Sequence, residues 1–204
     1  MQRKFVGTHL LSGLTLFAVL LHGSPKNFGE ATVYGTGQNP AYMGLGVTGM
    51  VETPSPIMID AVGVSAGTTH SLFRSVDGAI FASGDNRSGF LGTGDFVPSL
   101  NGLVQFQDGQ RWSGISAGSD HTLLVNQDRV LFGVGGEFVL GLRGRRINFP
   151  NPEFLTESVA GFDAGTAFSV LVTEEGNLEV FGSNAHTYFS TDPLPQSGRD
   201  GDFF

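Results

Sequence analysis

The sequence contains no cysteine, and this absence excludes disulfide bonds, cysteine-ligated zinc and thiol catalysis. Charged residues are also scarce, at 15% of the chain, and the basic ones are the rarer kind: there are 11 Lys and Arg against 19 Asp and Glu. The resulting formal net charge of −8 argues against a protein that binds the phosphate backbone of DNA. The lack of cysteine does not determine a cellular compartment.

Glycine and apolar residues are abundant instead. The 204 residues include 31 glycines, and 40% of the chain is hydrophobic. Helical proteins rarely combine so much glycine with so little charge, whereas β-structure with many tight turns does. The length suffices for a substantial hydrophobic core, in one domain or in an array of repeats.

One segment of the chain, residues 65–94, is repeated along the sequence. A second copy occupies residues 116–144, a third and more diverged copy begins at Asp163, and the second half of a copy lies at residues 33–46. The Ala-Gly pairs that open the three longer copies, at 66, 117 and 164, are 51 and 47 residues apart. Repeats of this period are typical of stacked supersecondary units.

Each copy predicts a β-hairpin followed by a glycine-rich loop. In the copy at residues 65–94, two short apolar runs, within residues 70–73 and 79–81, flank the turn at Asp77-Gly78. This pattern is typical of two antiparallel strands. The motif Leu91-Gly92-Thr93-Gly94 then predicts tight backbone turns or close approach to a neighbour. Arg129 stands where the other copies have glycine, which predicts strain or a different type of turn there.

The ordered sub-motifs Ala-Gly-x-x-His-Ser/Thr-Leu, Asp-Gly-x-Val/Ile-Phe, Gly-x-Asn and Leu-Gly-x-Gly resemble the repeat of the regulator of chromosome condensation family. The resemblance covers roughly residues 33–184 and extends loosely to the mitochondrial members of the family. The copies are diverged: Phe168 replaces the His, Gly136-Glu137 replaces Asp-Asn, and no Leu-Gly-x-Gly follows Asn184. The resemblance implies an all-β fold, a β-propeller with blades of four antiparallel strands.

The chain length predicts about four blades within residues 30–190, whereas the family closes its ring with seven. Each blade combines two strands of the repeat with two strands from the connectors 47–64, 95–115 and 145–162. We therefore expect an incomplete, open propeller. Residues 191–204, rich in Pro, Gly, Asp and Ser, are expected to be a disordered tail.

Residues 1–29 admit two interpretations. Arg3 and Lys4 precede an apolar run at residues 5–21, as in a secretory signal peptide, and the run is marginal as a membrane anchor. Alternatively, residues 14–21 form the first strand of the incomplete first blade, paired with residues 30–34. A targeting segment places the protein in the secretory pathway, and only an anchor brings it to a membrane; the loose resemblance to mitochondrial members indicates a mitochondrial location.

The sequence offers no catalytic constellation, so we expect a protein that is not an enzyme and needs no cofactor or metal. His70 and His121 hold the same position in two copies. This repetition predicts buried side chains that form structural hydrogen bonds rather than catalytic residues. We predict that His121 forms a hydrogen bond with the backbone of its own blade or of the neighbouring blade. The glycine-rich residues 133–136 lack the lysine and the strand–loop–helix setting of a phosphate-binding loop.

The loops that follow the hairpins are the candidate partner-binding sites, because repeats share a framework while their loops differ, and loops held by a rigid scaffold tend to carry function. Arg143, Arg145 and Arg146 form the only basic cluster of the sequence. They belong either to a solvated loop or to a site that binds an acidic partner or RNA. The candidate residues are Asp85, Asn86, Arg87, Asp95, Arg143, Arg145 and Arg146.

Three functional hypotheses follow. The resemblance implies a protein-interaction module that binds a small or dynamin-like GTPase and promotes guanine nucleotide exchange, which needs no covalent chemistry. The arginine cluster and the mitochondrial resemblance favour a scaffold in mitochondrial RNA or ribosome assembly. A cleaved signal peptide would instead favour a secreted propeller that binds or inhibits another protein, as bacterial relatives of the family do.

Overall fold

The computed structural model describes residues 32–38, 40–58, 60–106, 109–142 and 148–182, together with four two-residue strands nearer the start of the chain. Those short strands are β1 (Lys4–Phe5), β2 (Leu10–Leu11), β3 (Thr15–Leu16) and β4 (Leu20–Leu21). β1 pairs with β4 and β2 pairs with β3, both antiparallel. The remainder of residues 1–31 and the tail 183–204 lie outside the described residues, so the two interpretations of residues 1–29 and the disordered tail stay predictions.

The described residues from 32 to 182 form four antiparallel sheets in chain order, which we call blades 1 to 4. Blade 1 pairs β5 with β6; blade 2 has the order β7-β8-β9-β10, blade 3 the order β11-β12-β13-β14, and blade 4 the order β15-β16-β17. Two short 3-10 helices, Pro40–Met43 and Phe138–Leu140, follow β5 and β13. The strands are β5 (Val33–Gly37), β6 (Val51–Met58), β7 (Ala61–Ala66), β8 (His70–Ser75), β9 (Ile80–Gly84), β10 (Ser99–Gln105), β11 (Trp112–Ala117), β12 (His121–Asn126), β13 (Leu131–Gly136), β14 (Asn148–Thr156), β15 (Val159–Ala164), β16 (Phe168–Thr173) and β17 (Leu178–Gly182).

The predicted hairpins are present in blades 2, 3 and 4. Gly78 and Gly176 adopt positive φ angles of 86° and 85° in the turns after β8 and β16. Arg129 holds the equivalent position in blade 3 with φ of 60°, so this turn keeps the left-handed conformation of the glycine turns. That conformation is strained for a residue with a side chain, so of the two predicted alternatives, strain or a different type of turn, the structure has the strained backbone.

Each connector contributes its two strands to two different blades. The connector 95–115 supplies β10, which is the outer strand of blade 2, and β11, which is the inner strand of blade 3. The expectation of two motif strands and two connector strands per complete blade is confirmed, with the two connector strands coming from opposite ends of the repeat. This arrangement ties neighbouring blades together through the chain itself.

The hydrophobic core lies between the blades rather than inside any one of them. Leu72 and Leu124 belong to the cluster that joins blades 2 and 3, whereas their chain neighbours Phe73 and Leu123 point the other way, toward blade 1 and blade 4. Successive residues of a strand face opposite sides of its sheet, so each central strand is buried on both sides. All four side chains are fully buried.

The fold is therefore the predicted series of all-β propeller blades. Among the described residues, no hydrogen-bonded ladder joins blade 1 to blade 4, and each blade pairs only within its own sheet. Within this part of the chain, we find no helix with the length and apolar character needed to cross a membrane.

Candidate functional site

The strands of each blade end at two opposite edges, which we call the loop end and the turn end. At the loop end, the connection between β7 and β8 meets the loop after β9, since Asp85 N donates to Thr69 O over 3.0 Å. At the turn end, the β8–β9 turn meets the start of β11, since Trp112 N donates to Gly78 O over 2.9 Å. The candidate residues Asp85, Asn86, Arg87 and Asp95 all lie at the loop end.

Asn86 organises the loop at residues 85–98 from within. Its side chain is fully buried, and its Oδ1 accepts a hydrogen bond of 2.9 Å from Leu91 N. Its Nδ2 lies 3.1 Å from Thr93 Oγ1, 3.0 Å from Asp95 O and 3.2 Å from Val97 O. One amide therefore fixes both halves of the loop, so Asn86 can influence a partner only through the conformation of the residues around it.

Asp85 and Arg87 form an ion pair at the edge of this loop, with 10% of the Asp85 side chain and 81% of the Arg87 side chain exposed. Burial acts to raise the pKa of the Asp85 carboxyl, but hydrogen bonds from the Arg87 side chain and backbone outweigh it and hold the pKa below its ordinary value. Asp85 therefore stays ionised and orients an exposed guanidinium group.

Asp95 lies on the exposed side of the same loop. Its Oδ1 accepts hydrogen bonds from Thr93 Oγ1 at 2.7 Å and from Val97 N at 3.1 Å. The adjacent apolar side chains Phe96 and Val97 are 48% and 65% exposed. Arg143, Arg145 and Arg146 lie outside the described residues, so their predicted role in binding stays a prediction, as does direct contact of any of these loops with a partner.

The repeated histidines connect neighbouring blades through hydroxyl groups. His70 Nε2 of blade 2 lies 3.0 Å from Thr122 Oγ1 of blade 3, and Thr122 Oγ1 donates over 2.8 Å to Phe90 O in the loop of blade 2. His121 of blade 3 repeats this arrangement with Ser169 of blade 4, at 3.0 Å. Ser169 Oγ donates over 2.7 Å to Val139 O.

His121 is buried as predicted, but its hydrogen-bond partner differs from the prediction. The partner is the Ser169 side chain of the neighbouring blade, and backbone is reached only through that hydroxyl. The sequence pattern contained a signal for this bond, because a Ser or Thr follows the histidine position in all three longer copies. Only the stacked sheets show what this pattern means: the hydroxyl that follows the histidine position in one blade bonds to the histidine of the preceding blade.

Both histidines are neutral with the proton on Nε2. The hydroxyl of Ser169 gives its single proton to Val139 O, so it can only accept from His121 Nε2–H, and the same holds for Thr122 and His70. Nδ1 of each ring is buried with no hydrogen-bond partner. Burial lowers the pKa of His121 to about 4; burial and the nearby His121 lower the pKa of His70 to about 3, against an opposing effect of Asp85.

The loop of each blade also covers the next blade. In blade 2, Gly94 N donates to Pro150 O of β14 over 3.1 Å, and a β-carbon on Gly89 would lie 2.7 Å from Pro150 Cα. In blade 1, Ala41 O accepts from Ser83 Oγ of β9 over 2.7 Å. The glycine-rich loops therefore belong to the blade interfaces as well as to the surface.

The inner strands β7, β11 and β15 line a groove of about 140 Å³ at the loop end, formed by the repeated tetrapeptides 65–68, 116–119 and 163–166. Ser65 Oγ accepts from Ala117 N and Ser116 Oγ accepts from Ala164 N, each over 3.0 Å. Ser116 Oγ in turn donates to Asp163 Oδ1 over 2.6 Å. This groove was not among the predicted sites, although the polar residue before each Ala-Gly pair was visible in the repeat.

Ion pairs at the turn end link blades to each other. Arg111 pairs with Asp77 over 2.7 Å, and Arg129 of blade 3 pairs with Glu174 of blade 4.

The described blades carry many more acidic than basic side chains, and Arg87, Arg111 and Arg129 are already paired with acids. No group of His, Asp and Glu side chains suited to a metal ion occurs in the described part of the chain.

Comparisons with known proteins agree with this architecture. The family model of the regulator of chromosome condensation (RCC1) repeat matches residues 77–125. The chain is 28% identical over 158 residues to the probable E3 ubiquitin-protein ligase HERC6 of Homo sapiens, covering 71% of the chain and 16% of that protein. It is 30% identical over 153 residues to the ultraviolet-B receptor UVR8 of Arabidopsis thaliana, covering 69% of the chain and 34% of that protein.

The crystal structure of Prp20p from Saccharomyces cerevisiae, described with its binding properties to Gsp1p and histones, superimposes with a TM-score of 0.68 at 18% identity. The match covers 89% of the chain and 46% of Prp20p. The chain thus spans between about a sixth and a half of the proteins that it matches. From its repeats, its sheets and these similarities, the chain contains a regulator of chromosome condensation repeat at residues 77–125 and is similar to the propeller proteins built from this repeat.

Proposed function

We propose that this chain is a non-catalytic interaction module whose loop end binds a GTPase and promotes release of its guanine nucleotide. The similarity to proteins built from the regulator of chromosome condensation repeat supports an interaction role. The structural similarity to Prp20p, whose description names binding to Gsp1p, supports the choice of a GTPase. Nucleotide exchange requires a rigid surface that displaces the contacts of the GTPase with its nucleotide, and it requires no covalent chemistry.

The observation that carries the proposal is the set of hydrogen bonds that holds the loop at residues 85–98. Asn86 holds the loop from inside and Pro150 of the next blade supports it from outside. The same loop exposes a charged side chain, Arg87, and two apolar ones, Phe96 and Val97. Exposed side chains on a preorganised loop lose little conformational freedom on binding, which favours affinity.

The acidic character of the described blades favours a protein partner over RNA. The predictions of an RNA scaffold and of a secreted inhibitor rest on residues outside the described part of the chain, and they stay predictions. The same holds for the mitochondrial or secretory location. That the chain itself is not an enzyme is part of this proposal.

The test is release of a fluorescent GDP analogue from a purified Gsp1p-type GTPase, with excess unlabelled GDP and catalytic amounts of this protein. We expect accelerated release, and a loss of about tenfold or more in Arg87→Ala and Phe96→Ala, as for central interface residues. Arg111→Ala is the matched control, because Arg111 is also exposed and ion-paired but lies at the turn end. Absence of both binding and acceleration, or equal loss in the control, would overturn the proposal.

A further inference from the structure

The groove between the inner strands is too small for a nucleotide or a typical cofactor. Its volume is about 140 Å³, whereas pockets for such ligands usually have about 300–1,000 Å³. About four water molecules, or the planar end of one long side chain, would fill this space. Size therefore points to part of a macromolecular partner rather than to a free small molecule.

The side chains that line the groove provide one carboxylate and several hydroxyls, and each hydroxyl can both donate and accept a hydrogen bond. Asp163 is exposed there, and among the described residues nothing bonds its Oδ2. The hydroxyls of Thr68, Ser119 and Thr166 repeat at one position per blade, and within the described part of the chain they form no hydrogen bond. The lining contains no Lys or Arg.

The buried histidines add a second, independent contribution beneath the floor. A β-carbon on Gly67 would lie 2.8 Å from His70 Nδ1, and one on Gly118 would lie 2.6 Å from His121 Nδ1. These Nδ1 atoms are unpaired acceptors on rings that are 1% and 0% exposed. The two unpaired Nδ1 atoms therefore lie next to Gly67 and Gly118, which line the groove.

We propose that this groove is a binding site for the guanidinium group of an arginine side chain from a partner protein, with Asp163 as its counter-ion. A guanidinium group has five N–H donors in one plane and no acceptor, which complements a narrow groove of carboxylate and hydroxyl oxygens. The hydrogen bonds from Ser116 Oγ and Ala164 N to Asp163 Oδ1 orient the carboxylate and leave Oδ2 for the ligand. This site does not depend on the partner being a GTPase.

The test uses NMR of the full ¹⁵N-labelled chain titrated with the peptide acetyl-Gly-Arg-Gly-amide. We expect saturable shifts of the Gly67, Gly118 and Gly165 amides. The same peptide with citrulline, which has the shape of arginine without its charge, should leave them unmoved. This comparison needs no variant. Equal shifts with citrulline, or arginine-dependent shifts confined to other surfaces, would overturn the proposal.

A variant pair then assigns the counter-ion. Asp163→Asn should raise the dissociation constant of the arginine peptide about tenfold or more, because a charge-assisted hydrogen bond is lost. The amide oxygen of this variant can still accept from Ser116 and Ala164, so the fold should persist. Glu157→Gln, which removes an exposed carboxylate of blade 4 at the turn end, should leave the affinity unchanged. Unchanged affinity in Asp163→Asn would contradict the assignment.

Discussion

At the scale of single residues, the interface between blades 3 and 4 depends on one imidazole. His121 is fully buried and donates through Nε2 to Ser169. We predict that His121→Ala lowers the free energy of unfolding by about 1–3 kcal/mol, from the lost hydrogen bond and the space left behind. His121→Phe should cost less, since blade 4 itself has Phe168 at this position. Urea unfolding measures the free energy of unfolding of both variants. An unchanged stability of His121→Ala would contradict a structural role for this histidine.

The same histidines predict a dependence of stability on pH. Their pKa values in the folded protein, about 3 for His70 and about 4 for His121, lie below the ordinary 6.5, so the folded state binds fewer protons than the unfolded state. Their contribution is therefore fully present above pH 6.5, and it is lost as the pH falls from 6.5 toward 4 for His121 and toward 3 for His70. Each histidine adds a slope of up to about 1.4 kcal/mol per pH unit in this window.

Urea unfolding across this pH window checks the slope. The carboxylates of the chain also titrate below about pH 5, so His121→Phe is the reference that isolates one histidine. We expect stability to fall less steeply with decreasing pH in this variant than in the parent protein. Parallel curves for the two proteins would contradict a neutral His121 in the folded state.

At the scale of elements, two glycines with similar backbone conformations differ in what surrounds them. Gly92 has φ of 65° in the loop after β9, and a β-carbon there would collide with the buried ring of Phe106. Gly176 has φ of 85° in the turn after β16, and a β-carbon there would meet nothing within 4 Å. The pair therefore separates the cost of the left-handed backbone from the cost of packing.

We predict that Gly176→Ala costs about 1–2 kcal/mol, the usual penalty of the left-handed conformation for an L-residue. Gly92→Ala should cost about 1–3 kcal/mol more, because the Phe106 ring must move within a packed interface. Thermal and urea unfolding of both variants measure the difference. Equal costs would show that the loop after β9 is not held against Phe106 as the structure has it.

At the scale of the whole molecule, the blades bury their apolar faces only against their neighbours in the chain. The sheet of blade 4 leaves Val172 and Leu178 37% and 41% exposed. Apolar side chains exposed side by side on one sheet are a surface through which two molecules can bind each other. We therefore predict that the 204-residue chain associates with itself.

Sedimentation velocity over a concentration series checks this prediction. The sedimentation coefficient should rise with concentration between about 1 and 50 μM, as mass action requires for an associating chain. Val172→Lys and Leu178→Lys should shift the transition to higher concentration, and Val76→Lys, an exposed valine in the β8–β9 turn, should not. A compact monomer throughout the series would contradict self-association.

The sequence by itself determined the hairpins, the repeat and the glycine positions of this protein. These features are local: Asp77-Gly78 specifies a turn between two short strands. The arginine in place of glycine at position 129 predicted strain or a different type of turn, and the structure has the strained left-handed backbone there. The Ala-Gly pairs and the Leu-Gly-x-Gly motifs together were specific enough to indicate the family. Propeller blades followed from that resemblance.

Only the tertiary structure decided which residues of one repeat meet which residues of the next. The pairing of His121 with Ser169, the division of each connector between two blades, and the burial of Asn86 all depend on how the sheets stack. The groove that brings Ser65, Ser116 and Asp163 together arises in the same way. Strand periodicity specifies which face a side chain takes, but the neighbour on that face comes from a repeat about fifty residues away, and no local pattern encodes that contact.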